Sequence, residues 1–169
     1  LKKLSAIDRR AENVSTPALR LAALDELRRG IPGVEVRFDP VTGSPDHILT
    51  TGRFLTPAAG READSVLLVK RFLDEHAGLF GHGGSALDAS RVTRDDVTAH
   101  NGMRTRVWQQ QVDGIPVHQG ILKANLTRDG ALITLGSHFL RDAAAATGLA
   151  AGERTALVIT RGFADALRI

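Results

Sequence analysis

Histidine suits metal binding and proton transfer near neutral pH, and the chain has six, at 47, 76, 82, 100, 118 and 138. None stands four residues from another, the spacing that sets two imidazoles on one helix face. Glu75-His76 reverses the order of the zinc pattern H-E-x-x-H, and no histidine follows at the required distance. His118 and His138 fall on neighbouring strand-like segments and can approach, but two imidazoles alone do not make a zinc site. Asp95-Asp96 is a carboxylate pair whose members point to opposite faces of a strand, so solvated charge is expected there and not acid/base chemistry. Gly81-His82-Gly83-Gly84-Ser85 lacks the Lys-Ser/Thr ending of a phosphate loop and follows a helix pattern where that motif needs a strand. With no G-x-S-x-G elbow elsewhere, it reads as a linker and not as an oxyanion loop. Zero cysteines remove thiolate ligands, a cysteine nucleophile and disulfides. No catalytic centre and no cofactor site emerge, and the chain is expected not to be an enzyme.

Any functional residues must therefore work by contact. At 169 residues, 43% hydrophobic and 24% charged, the chain can build one well-packed domain or two small ones. Aromatics make up 4%, so aliphatic side chains must dominate the core. The net charge of +3 comes from scattered basic residues, whose pairs Arg9-Arg10, Arg28-Arg29 and Lys70-Arg71 fall in helix patterns. Without a basic face interleaved with aromatics, nucleic acid is not an expected partner. No apolar run suits a membrane span, and the basic start Leu1-Lys2-Lys3 has no apolar signal region behind it.

The elements follow from pattern. Ser15 or Thr16 as cap, Pro17 in the first turn and Gly30 as stop frame a helix with Ala23, Leu24 and Leu27 on its apolar side. Val34, Val36 and Phe38 alternate, Asp39-Pro40 and Gly43 turn, and His47 to Thr51 return as the second strand of a hairpin. A helix is expected over Glu62 to Ala77, with Val66, Val69, Phe72 and Leu73 inward and Gly78 as its cap. A strand-like Leu87 to Val97 and the turn Asn101-Gly102 lead into a three-strand meander over Met103 to Phe139. An Ala- and Gly-rich connector and a last helix over 153–169 complete the chain. This order predicts an α+β fold with helices on one face of an antiparallel meander. Its units are a helical segment over 1–33, the main domain over 34–140, and a connector with helix over 141–169.

Within the meander, Trp108, Gln110 and Val112 share one face. A buried amide must find partners, so Gln110 is expected either on a partly open face or tied to backbone near a turn. Arg104 and Arg106 share a face and with Lys123 suggest a basic rim. The run Trp108-Gln109-Gln110-Gln111-Val112-Asp113-Gly114-Ile115-Pro116-Val117 resembles the central motif of fungalysin/thermolysin propeptide domains. So do Leu122 to Gly130 with the turn Asp129-Gly130, the strand Leu132 to Leu135, and the helix that closes on Leu79-Phe80-Gly81. His118 and Ile121 depart from the family pattern, which more often has an aromatic and a polar residue there.

The resemblance implies a cystatin-like helix-on-sheet fold, with the last helix placed where a PepSY domain starts. It implies a secreted, non-catalytic propeptide whose partner is the catalytic domain of a zinc metallopeptidase, which it helps to fold and inhibits. A free-standing secreted inhibitor or protein-binding module is the alternative. Trp108, Gln110, Gly114, Ile115, Pro116, Val117, Asp129 and Gly130 are the motif positions, expected to be mainly structural. Arg104, Arg106, His118, Gln119 and Lys123 are the expected partner contacts.

Overall fold

The computed structural model of the chain describes residues 17–40 and 42–141. The cap candidates Ser15 and Thr16 and the helix expected over 153–169 lie outside those residues. The first helix, α1, runs Pro17–Gly30 and sends Leu24 and Leu27 into the core. The strands β1 (Val34–Phe38) and β2 (Pro45–Thr50) pair antiparallel across a turn that Asp39 organises. Its Oδ1 accepts from both the amide (2.6 Å) and the hydroxyl (2.9 Å) of Thr42, a local bond that replaces a backbone turn.

The main helix α2 spans Ser65–Glu75, three residues shorter at its start than its periodicity suggests. Asp64 sets that start, because its side chain accepts the amide of Val66 at 2.8 Å and satisfies an otherwise orphan donor. A short α3, Ala77–Phe80, follows and ends at Gly81, whose φ of 80° makes it the left-handed cap. Gly78, expected in that role, lies inside α3 against α1; a Cβ there would stand 3.3 Å from that of Ala23. Leu79 and Phe80 fold inward and are buried.

The strand-like segment from Leu87 divides into a 3-10 turn, Gly84–Leu87, and β3, Arg91–Val97. The turn docks on α2 through Asp74, whose Oδ1 accepts the amide of Gly84 at 2.7 Å, and through the Lys70–Asp88 ion pair. Then β4 (Arg104–Val112), β5 (Ile115–Leu126) and β6 (Leu132–Ser137) complete an antiparallel sheet. The sheet has six strands in the order β1-β2-β6-β5-β4-β3, so the N-terminal hairpin extends the meander and β3 makes its far edge.

Alternation decides which face is covered. Trp108, Leu122, Ala124, Leu126 and Leu135 are buried with Val69, Phe72, Leu73, Leu79, Phe80 and Leu87 of the helical layer. Their neighbours Val107, Ile121, Lys123, Asn125 and Thr134 face away and are partly or fully exposed. The fold is α+β, with helices on one side of an antiparallel sheet. Hairpin and meander meet at Ile48 and Leu135 because Gly136 has no side chain; a Cβ there would lie 2.0 Å from the Asp46 carbonyl oxygen. Gly136→Ala is expected to cost at least about 1–3 kcal/mol by forcing β2 away from β6. Chemical denaturation of the variant measures it, and a midpoint unchanged from the parent would contradict this packing.

Candidate functional site

The β4–β5 hairpin outruns its neighbours. β3 stops opposite Gln109 and β6 opposite Leu122, so the strand ends around Asp113-Gly114 project as a two-stranded ribbon. Val112 pairs with Ile115 across the turn, and Asp113 (φ 51°) and Gly114 (φ 79°) both take the left-handed conformation that a two-residue hairpin of this hand requires. Ile115 is 45% exposed, and Pro116, His118 and Gln119 are exposed beside it. β5 bulges on the way back: Gln109 faces Ile121 and Gln111 faces Pro116, so Val117 to Gly120 stand against Gln110 alone. Gln119 takes φ 58° within this bulge, a strained value for a residue with a side chain.

Three consecutive glutamines hold the ribbon. The Gln109 amide donates across the bulge to the carbonyls of Val117 (2.6 Å) and Gly120 (3.0 Å). Gln111 donates to the Gly114 carbonyl at 3.3 Å. Gln110 is buried at the base of the ribbon, where its Nε2 donates to the Leu140 carbonyl and its Oε1 accepts the Leu140 amide, both at 2.9 Å. Both ends of the amide are thus satisfied by one residue's backbone, which resolves the two alternatives for Gln110 in favour of a backbone tie. Gln110→Ala leaves two backbone groups without partners and is expected to cost about 1–3 kcal/mol. Gln111→Ala, with an exposed bond, is expected to stay within about 0.5 kcal/mol; equal melting midpoints for the two variants would contradict the assignment.

His82 braces the same stretch. A carbonyl only accepts, so Nδ1–H donates to Gly83 O (3.2 Å) and the neutral ring's Nε2 accepts from the Ser137 hydroxyl (3.2 Å). Phe80 and Phe139 flank the ring at 5.9 and 5.4 Å between centroids. Burial pushes the His82 pKa below its ordinary 6.5, and burial does the same to His76. The unfolded chain therefore binds more protons than the folded one between the two pKa values. Stability is full above about pH 6.5 and falls as pH drops through the lowered folded values. Melting at pH 7.5 and pH 5 should show this loss, and His82→Phe should shrink it; an unchanged pH dependence in the variant would contradict the assignment.

The expected basic rim is divided. Arg104 and Arg106 lie on the helix side, opposite Leu126 and Ala124, whereas Lys123 pairs with Val107 on the open side. Alternation explains this: the register places even-numbered β5 residues with even-numbered β4 residues. Asp95 binds both arginines, Arg104 at 2.8 Å and Arg106 by a shorter contact, while Asp96 turns away to Arg94. The Arg106 hydrogen bond, with Arg104 adding to it, holds the Asp95 carboxyl below the usual carboxylate range. Arg106 also lies 5.9 Å from the centroid of the buried Trp108 ring.

On the open side a depression of about 470 Å³ joins Gln119, Ile121, Lys123, His47 and His138 above Gly136. Thr105, Asn125 and Thr134 form a polar ladder beside it, with bonds of 2.8 and 2.7 Å. His138 turns to Asp39 (3.8 Å), and His118 sits exposed on the bulge. Among the described residues no three His, Asp or Glu side chains converge as a metal site. Asp129 pairs with Arg61 at 3.0 Å, and Gly130 takes φ 78° in the β5–β6 turn.

The described residues thus form an antiparallel sheet with helices on one face and a projecting β4–β5 hairpin. Residues 88–139 match the family model described as Fungalysin/Thermolysin Propeptide Motif, so the chain carries that motif from just before β3 to just past β6. No curated protein and no solved structure matches the chain. Within the motif, Trp108 and Gln110 are buried and Gly114 makes the turn, whereas Ile115 and Pro116 are presented to solvent. Sequence reasoning missed Gln109 and His82 as organising residues; the uninterrupted Gln109-Gln110-Gln111 run was the available signal for the first.

Proposed function

We propose that this chain acts as the propeptide of a fungalysin/thermolysin-like zinc metallopeptidase, as intramolecular chaperone and inhibitor of its catalytic domain. The motif at 88–139 carries this reading. The geometry supports it because the motif's exposed part, Ile115 to Gln119, rides on a ribbon fixed by the Gln109 and Gln110 amides. A ribbon ordered before contact loses little conformational entropy on binding. Ile115, Pro116, His118 and Gln119 are the contact residues of this reading, with Lys123 and Arg104 outside the ribbon and Arg106 held against Trp108.

In this reading the chain is non-catalytic and needs no cofactor, and its partner acts in cis or remains bound after cleavage. The propeptide unit spans 34–140, flanked by a helical segment over 1–33 and a connector over 141–169 that begins a PepSY-like part. A secreted or extracytoplasmic setting follows from the partner; among the described residues no helix is long and apolar enough to cross a membrane. The test is to add the chain to the catalytic domain of a zinc peptidase of this class from the same source. Equimolar chain at micromolar concentration should suppress peptide hydrolysis, and it should raise the yield of active peptidase on refolding. Neither effect at tenfold excess would overturn the proposal.

A further inference from the structure

At the end of the sheet away from the ribbon, three loops enclose a trough of about 500 Å³. They are the segment leading into α2, the β3–β4 turn and the β5–β6 turn, the first and last of them joined by bonds on Asp129. Gly60 donates its amide to the Asp129 carbonyl at 2.9 Å, and Arg61 reaches the Asp129 carboxylate at 3.0 Å. Arg61, Arg104, Arg128 and His100 line the trough, and among the described residues no Asp or Glu does. The local balance is positive. Asp129 answers Arg61, a single Asp95 serves both Arg104 and Arg106, and Arg128 has no ion pair among the described residues.

Arg128 is nevertheless placed. Gly102 adopts φ 69°, and a Cβ on it would come within 2.9 Å of the Arg128 Cβ and Cγ, so the arginine stem lies flat on a bare backbone. The β3–β4 turn beneath is closed by Gly102 N to Thr98 O and Thr98 N to Met103 O, both 2.8 Å. Beside the guanidinium groups, Val97 is 59% exposed and Leu126 forms an apolar floor.

We propose that this trough binds an acidic peptide segment of a protein partner, one carboxylate on the Arg128 guanidinium and an apolar neighbour on Val97 and Leu126. The guanidinium fork matches the two oxygens of a carboxylate, and Arg104 behind it adds to the attraction. An exposed valine beside the arginines gives a peptide side chain a seat that an inorganic anion would leave empty. Nucleic acid fits poorly, because among the described residues no Trp, Tyr or Phe lines the trough and a base has only the His100 ring to stack on. The inference goes beyond the propeptide reading and holds whichever polypeptide supplies the segment.

The isotope-labelled full chain would be titrated with an N-acetylated, C-amidated pentapeptide, Gly-Glu-Leu-Glu-Gly, by amide chemical-shift mapping. Its Gln-for-Glu counterpart and inorganic phosphate serve as comparisons. The Glu peptide should give saturable shifts at Gly102, Arg128 and Gly130, and the Gln peptide should not. Arg128→Ala, at an exposed position, should keep the native spectrum and weaken binding about tenfold, the size of one charge-assisted hydrogen bond. Arg128→Lys should recover only part of it, lacking the fork. Absence of saturable shifts at the trough, an equal response to the Gln peptide, or phosphate binding as tightly at the same amides would overturn the proposal. No peptidase enters this titration, so its failure would leave the propeptide reading standing.

Discussion

The bond pair between the Gln110 side chain and the Leu140 backbone joins strand β4 to the chain that leaves the sheet after β6. A primary amide offers a donor and an acceptor on one planar group, as a peptide unit does, and Gln110 uses both on a single residue. Burying an amide is costly when either end goes without a partner. Here neither does, and the chain leaving β6 is tied to the base of the ribbon. The same short stretch is held twice more, by Ser44 Oγ donating to the Phe139 carbonyl at 3.0 Å and by the His82–Ser137 contact. Ser137 to Leu140 is therefore where the N-terminal hairpin, the glycine-rich loop after α3 and strand β4 converge.

That convergence separates two kinds of surface along β4. At one end the ribbon leaves the layered core and is held by side-chain amides, with no helix among the described residues over it. At the other the strands are tied into turns, and guanidinium groups outnumber carboxylates around the trough. Between them Trp108 is sealed under the helical layer, its ring beside Arg106. The chain thus offers a largely uncharged, pre-shaped tip and a positively charged trough, both carried on one strand.

Much of this was legible in the residues. Alternation gave the facing of Trp108 and Gln110 and the opposition of Asp95 and Asp96, because each depends on neighbours close in sequence. The extension of the sheet by the N-terminal hairpin was not, since it depends on Gly136 meeting Asp46 across 90 residues of chain. The helix start at Asp64 was hidden for a different reason: Glu62 and Ala63 suit a helix by propensity, and the capping bond overrides them. Lys123 was grouped with Arg104 and Arg106 although register sends it to the opposite face. The positive φ of Gln119 had no signal at all, because it arises from a bulge that only the Gln109 bonds reveal.

The claim on which the functional reading rests is that the ribbon is ordered in the free chain. Backbone ¹⁵N relaxation of residues 111–119 without any partner tests it most directly. Order parameters of about 0.85, equal to those of β4 and β5 within the sheet, are what the glutamine bonds predict. Values below about 0.6 across the ribbon would mean that it takes its shape only on contact, and would contradict the account.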